Sequence, residues 1–290
     1  MRIGEVYDNG RFGLSFEIFP PKAQAAETHL FAALEELMAF KPSMVTCTYG
    51  AGGSTREKTL ELTVKIRETF GVTSTAHLTC VGSTQGEIRQ WLREATRQGV
   101  ENIIALRGDP PKGEAGFTQP EGGLAHGNEL VALIRREFPH FGIGVAGYPE
   151  THHEAPSPEE DLANLKRKVE AGGDVVITQL FYDNRDFFDF RRRYEAAGIR
   201  APLVPGILPV ISLAQIQRIA SLCGATLPAP FVAELERRRD DPEGQVDVGV
   251  AYAVRQCREL IDAGVPGIHF YVLNKAAAPG RILRALNLSR

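Results

Sequence analysis

Eight short runs of strand-forming residues, each followed by a longer segment of helical spacing, set the tightest limit on how this chain folds. The runs are Leu14 to Phe19, Met44 to Thr48, Thr73 to Thr79, Asn102 to Leu106, Gly142 to Ala146, Val175 to Thr178, Leu203 to Ile207 and Gly267 to Val272. Parallel strands need a long crossover, usually a helix, to bring the chain back to the same end of the sheet. Eight such β/α units predict an α/β fold of the TIM (β/α)8 barrel type, which takes roughly 250 residues. At 290 residues, 43% of them hydrophobic, the chain reads as a single catalytic barrel domain over 1–290. The doubly wound alternative needs a phosphate-binding fingerprint after the first strand. The nearest candidate, Gly50-Ala51-Gly52-Gly53-Ser54-Thr55, lacks the last glycine of GxGxxG and has no GK[ST].

Two helices carry their own start signals. Ser54-Thr55-Arg56-Glu57 has the form of a capping box, followed by Leu62, Ile66 and Phe70 at helical spacing. Ser157-Pro158-Glu159-Glu160 adds proline at the first helical position, and Leu162, Leu165 and Val169 then share a face. Between Thr226 and Gln245, Pro228 and Pro230 introduce a charged stretch that reads as an extra helix and loop inserted before the last strand.

The formal charge is −3 with both signs interspersed, which leaves no broad basic surface for nucleic acid. No apolar run approaches the roughly 20 residues needed to span a bilayer, and the N-terminus lacks a secretory pattern. A cytoplasmic protein with no membrane partner is expected. Cys47, Cys80, Cys223 and Cys257 are too scattered for a disulfide scaffold and form no CxxC pair. The seven histidines show no HExxH spacing, adjacent His152 and His153 are expected to point in different directions, and no metal is predicted.

In a barrel of this type, chemistry is assembled at the C-terminal ends of the strands. On the first strand Leu14, Phe16 and Ile18 alternate with Ser15 and Glu17, so the apolar set faces the helices and Glu17 faces the interior. A carboxylate there is costly unless paired, protonated or functional; a structural ion pair is the alternative. Arg107-Gly108-Asp109 at the end of the fourth strand could bind a cofactor through the guanidinium fork, or simply form a turn with Pro110 and Pro111. Asp161, Asn164 and Lys168 form a polar stripe beside the apolar stripe of their helix, and either line a cleft or make an ordinary solvated edge. Gln179 ends the sixth strand. Lys275 follows the eighth, as a Schiff-base nucleophile or a surface lysine.

Taken together, nine segments resemble the methylenetetrahydrofolate reductase family, in the family's order. They are Phe16-Glu17-Ile18-Phe19-Pro20-Pro21, Thr48-Tyr49-Gly50-Ala51, Ala76-His77-Leu78-Thr79-Cys80, Ala105-Leu106-Arg107-Gly108-Asp109, Tyr148-Pro149-Glu150, Asn164-Leu165-Lys166-Arg167-Lys168, Ile177-Thr178-Gln179, Pro205-Gly206-Ile207-Leu208-Pro209 and His269-Phe270-Tyr271-Val272-Leu273-Asn274-Lys275. The resemblance spans nearly the whole chain. It implies that NADH or NADPH reduces bound FAD, which then reduces 5,10-methylenetetrahydrofolate to 5-methyltetrahydrofolate. It implies Glu17 as the general acid and Asp109 as the carboxylate between flavin and pterin. Folate contacts implied are Asp109, Gln179, Gln215 and Lys275, with Gln179 also touching nicotinamide. Cofactor contacts implied are Thr48, on the nicotinamide, and Tyr49, Ala51, His77, Arg107, Gly108, Asp109, Tyr148, His152, Ala155, Asp161, Asn164, Arg167 and Lys168 for FAD. Arg167 and Lys168 would neutralise the pyrophosphate, and Asp161 would accept from the ribityl chain.

The chain departs from the family pattern at three places. His126-Gly127 stands where many members have Tyr-Ala, Ile219 where some carry a stacking aromatic, and Lys275 where part of the family has Arg. Without a Rossmann unit, nothing marks NADH against NADPH. A homo-oligomer without effector regulation is expected. The competing readings are another flavin-dependent barrel, such as a proline dehydrogenase, and a non-catalytic ligand-binding barrel.

Overall fold

Among the described residues nine parallel strands form one sheet in the order β7-β6-β5-β4-β3-β2-β1-β9-β8. The structure, a computed structural model, describes residues 1–8, 10–21, 23–49, 55–109 and 119–288. The first half runs α1 (Ile3–Tyr7), β1 (Gly13–Ile18), α2 (Gln24–Met38), β2 (Met44–Cys47), α3 (Arg56–Phe70), β3 (Thr73–Thr79), α4 (Gln85–Arg97), β4 (Asn102–Leu106), α5 (Gly127–Glu137) and β5 (Gly142–Gly147). The second continues with α6 (Pro158–Glu170), β6 (Val175–Thr178), α7 (Asn184–Ala196), β7 (Leu203–Val204), β8 (Gly206–Ile207), α8 (Leu213–Cys223), α9 (Ala229–Glu236), α10 (Pro242–Asp262), β9 (Gly267–Tyr271) and α11 (Ala277–Ala285).

The run expected as one strand over Leu203 to Ile207 is two pieces interrupted at Pro205. Proline has no N–H to give to a ladder, so β7 pairs with β6 and β8 pairs with β9. Pro205 still contributes its carbonyl, which accepts from His269 N at 3.0 Å. The barrel therefore closes through Pro205 as eight strands in space.

The pleat sorts side chains as β1 predicts. Leu14, Phe16 and Ile18 join Val45, Leu78 and Phe270 in the layer between strands and helices, each worth roughly 1.5–3 kcal/mol of burial. Phe16 sits opposite Phe270 in register, with ring centroids 6.4 Å apart. The inward set at the lower end is apolar: Met44, Ile104, Val175, Ile177 and Val204, plugged by Ile3, Val6 and Tyr7 of α1. This short first helix was not expected from the sequence, since five residues carry little periodicity. Its position depends on Ile3 N donating to Asn102 Oδ1 at 2.7 Å, a contact between distant parts of the chain.

Helix α6 starts as read, with Ser157 Oγ accepting from Glu160 N at 3.2 Å and Pro158 at the first position. For α3 the helix begins at Arg56 with Thr55 at the N-cap; Ser54 lies outside the described residues. The expected insertion contains α9 and the charged turn that follows it at 237–240, but its last residues already belong to α10, where Asp241 Oδ1 accepts from Gly244 N and Pro242 occupies the first turn. Among the described residues no helix is long and apolar enough to cross a membrane.

Candidate active site

Three strands meet at the barrel mouth with polar residues on their inward faces. β1 presents Ser15 and Glu17, β3 presents His77 and Thr79, and β9 presents His269 and Tyr271, since the intervening residues pack outward. Glu17 is 7% exposed. Its Oε2 lies 3.4 Å from His77 Nε2 and 3.3 Å from His269 Nε2. The His77 contact is within ion-pair range but is not aligned as a hydrogen bond, and His77 Nε2 has no hydrogen-bond partner among the described residues. Burial holds the His77 pKa below its ordinary value, assisted by His269 and opposed by Glu17. Burial and the missing hydrogen bond together favour a neutral ring.

Below Glu17 a buried chain of hydrogen bonds runs toward the barrel floor. His269 Nδ1 is 2.7 Å from Ser15 Oγ, and Ser15 Oγ is 2.6 Å from Tyr7 OH. Burial pushes the Tyr7 phenol well above its ordinary range, so Tyr7 keeps its proton. One assignment satisfies every group: Tyr7 O–H donates to Ser15, Ser15 O–H to His269 Nδ1, and His269 Nε2–H to Glu17. The reverse would leave the Tyr7 proton without an acceptor among the described residues. His269 thus fixes the Glu17 carboxylate from below, while Thr46 Oγ1 and Thr79 Oγ1 are buried in the same interior without hydrogen-bond partners among the described residues.

A second cluster lies where β4, β5 and α6 converge. Gly108 follows β4 with φ +91°, and a Cβ there would stand 2.6 Å from Val81 Cγ1 and 2.8 Å from Thr79 Cβ. Only glycine fits this backbone, which sets the direction of the half-buried Arg107 and the exposed Asp109 on either side. Arg107 pairs with Glu154, tying β4 to the loop after β5, and that hydrogen bond raises the Arg107 pKa. Lys168 reaches back from α6 to donate to Ala146 O at 2.6 Å and lies 5.7 Å from the Tyr148 ring centroid. Burial pushes the Lys168 ammonium down to about 8, with Asp161 opposing. Gly127, first residue of α5, is adjacent, its Cβ position 3.5 Å from Arg107 N and 3.8 Å from Lys168 Cδ. The helix N-terminus adds partial positive charge there.

The remaining expected residues divide. Asp161 is buried, but its Oδ2 accepts from His152 N at 3.0 Å, so it anchors the loop that carries His152 and Ala155. Asn164 and Arg167 sit on the exposed side of α6, bonded to each other, with Arg167 also 3.0 Å from Glu160. Tyr49 OH accepts from Arg56 Nε at 2.6 Å, and buried Thr48 accepts at its carbonyl from Thr59 Oγ1. Gln179 turns its Oε1 to Leu180 N, Gln215 lies in the first turn of α8, and Lys275 is exposed after β9. Ala51 lies outside the described residues. His152 and His153 do not diverge as expected: their rings stack with centroids 4.6 Å apart, following Thr151 at φ +75°, which turns the chain and removes the usual alternation. Among the described residues no group of three or more potential ligands could hold a metal.

No local pattern in the sequence marks a role for His269, Ser15 or Tyr7. The period of two along β9 places His269 inward with Tyr271, but only barrel closure puts it against Glu17.

The family model described as methylenetetrahydrofolate reductase matches residues 2–287. The chain belongs to that family. The reductase named 5,10-methylenetetrahydrofolate reductase in Escherichia coli K12 is 37% identical over 279 residues, covering 96% of this chain and 92% of that protein. The methylenetetrahydrofolate reductase (NADH) 1 of Arabidopsis thaliana is 37% identical over 297 residues, 99% of this chain but 50% of the plant protein. The chain spans about half the length of the plant relatives it matches. A solved Clostridium thermocellum protein, described as binding two copies of 5-methyl-5,6,7,8-tetrahydrofolic acid, superposes with a TM-score of 0.62 at 15% identity, covering 97% of this chain and 96% of that one. It shares the fold.

Proposed function

We propose that this member of the reductase family reduces 5,10-methylenetetrahydrofolate to 5-methyltetrahydrofolate, with FAD as resident cofactor and NADH or NADPH as reductant. The observation that carries the reading is Glu17, a carboxylate buried between two imidazoles at the barrel mouth in a chain of this family.

The residues present fit FAD. Lys168 is a half-buried cation facing a carbonyl rather than a carboxylate, and a pyrophosphate beside it would favour its charged form. The N-terminus of α5 adds to that positive end, and the unpartnered Thr46, Thr79 and His77 atoms offer polar edges within the barrel. When bound, the flavin supplies hydride transfer from nicotinamide to the folate methylene carbon.

The chain's own groups handle protons and position. Glu17 gives its proton to folate N10, the C–N10 bond breaks with its electron pair going to N10, and the methylene becomes an N5 iminium. His269 holds the carboxylate in place. Asp109 places negative charge at the end of β4, Gln179 meets the pterin, and Gln215 and Lys275 meet the outer part of the folate. Asp109→Asn is expected to raise the flavin reduction potential and slow folate reduction, because it removes a negative charge beside the redox centre; spectroelectrochemistry showing an unchanged potential with an unchanged folate rate would exclude that role.

The test of the whole reading is an absorption spectrum of the purified protein, then anaerobic titration with NADH, NADPH and methylenetetrahydrofolate. A flavin spectrum bleached by a nicotinamide and restored by the folate is expected. A colourless, inactive protein would favour a binding barrel, and reduction by proline would favour an amino-acid dehydrogenase.

A further inference from the structure

Phe19 is 41% exposed, one of few large hydrophobic side chains open to solvent among the described residues. Isolated exposed apolar residues are ordinary, but this one is held. Its backbone N–H donates to Asn274 Oδ1 at 2.8 Å, and its carbonyl accepts from Asn274 Nδ2 at 2.8 Å. Both polar ends of one side chain are spent on the backbone of a single residue. Asn274 makes this clamp at φ +59°, directly after Leu273 at φ +48°. Two successive non-glycine residues in the left-handed region persist only where the surroundings enforce them.

The clamp ties the loop after β9 to the end of β1, strands that are paired neighbours. Their inward residues are His269 and Glu17. Phe19 lies two residues beyond Glu17 and just past the end of β1, about 7 Å further along an extended chain; its N–H and C=O turn to the β9 side as the Glu17 carbonyl does to Val272 N, which is the period of two that puts both residues on one face. Lys275 follows Asn274 and is exposed at the same rim.

We propose that Phe19 is the aromatic platform for the p-aminobenzoyl ring of the folate, and that Asn274 is the positioning residue that sets it. This rests on the reductase reading. The chemistry requires the juxtaposition: N10, which takes the Glu17 proton, is bonded directly to the p-aminobenzoyl ring, so that ring lies one bond outward from the acid. The carboxylates of the glutamate tail then continue toward a cation, and Lys275 is the cation beside the clamp. A ring carried on a clamped backbone offers stacking area with only its own two side-chain torsions left to order.

Phe19→Leu is expected to raise both the KM for methylenetetrahydrofolate and the calorimetric Kd for 5-methyltetrahydrofolate by about 3- to 10-fold, with a smaller change in kcat. Phe19→Tyr should restore both. Asn274→Gly permits the left-handed backbone but removes both hydrogen bonds, and should raise KM and Kd in the same direction at wild-type flavin content and thermal midpoint. KM and Kd within about twofold of wild type in Phe19→Leu, beside a wild type that turns over, would overturn the platform alone. So would a rise in Phe19→Leu that Phe19→Tyr fails to reverse, or an Asn274→Gly effect that merely tracks lost flavin or lost stability. A wild type that does not reduce methylenetetrahydrofolate would overturn the reductase reading and the platform with it.

Discussion

Glu17→Gln is expected to slow reduction of methylenetetrahydrofolate by about 100- to 10,000-fold, the usual contribution of a positioned proton donor, while FAD binding and flavin reduction by the nicotinamide stay near wild type. The amide keeps the shape of the carboxylic acid and can still meet His269 Nε2, which lies 3.3 Å from the native oxygen, so the barrel mouth is preserved. What it cannot do is give a proton to N10. Reducing the flavin needs no such proton, and the two half-reactions should therefore separate. Stopped-flow measurement of each one alone provides the check. A variant whose reduced flavin is reoxidised by the folate at a wild-type rate would remove Glu17 from the acid role; one that fails in both halves would point to a role in cofactor binding instead.

Lys168→Met should weaken FAD binding by about 10- to 100-fold, the loss expected for a charge-assisted contact, whereas Arg167→Ala should change it by no more than about threefold. The sequence treats these neighbours alike. The structure separates them, because Arg167 is exposed and engaged with Glu160 and Asn164 while Lys168 is turned inward against Ala146 O. The same lysine gives a pH signature. Its ammonium titrates near 8 in the fold against an ordinary 10.5, and a bound anion favours the protonated form. Flavin affinity should thus be level below about pH 8 and fall above it, by at most about tenfold per pH unit for one proton. Stability of the flavin-free protein should move the other way. Between about 8 and 10.5 the unfolded chain binds the extra proton, so stability rises with pH across that window. Flavin titration and chemical denaturation of wild type and Lys168→Met, at matched pH values, check both slopes. An affinity unchanged in Lys168→Met, or a wild-type affinity that increases above pH 8, would place the pyrophosphate elsewhere.

Much of the framework was legible because it is written in local, repeating patterns. The period of two along Leu14 to Ile18 by itself turns Glu17 inward, and the Ser157-Pro158 start of α6 follows from capping chemistry that needs only neighbours in sequence. Readings failed where a distant contact or a local break overrode the pattern. Pro205 split the seventh strand, Thr151 turned the two histidines onto one another, and α1 exists as a plug because Asn102 accepts its first N–H from across the barrel floor.

The sequence by itself therefore determined the barrel, the family and the strand-end positions where chemistry gathers, since these follow from periodicity and from motifs in order along the chain. Tertiary structure alone decided which of those positions meet. His269 stands 252 residues from Glu17 and reaches it only when β9 closes against β1. Asn274 grips Phe19 across 255 residues by the same closure. Arg167 and Lys168 diverge because one helix has two sides and only one of them faces β5. Contacts of this kind depend on loop closure and packing summed over the whole chain, which no local window of residues contains.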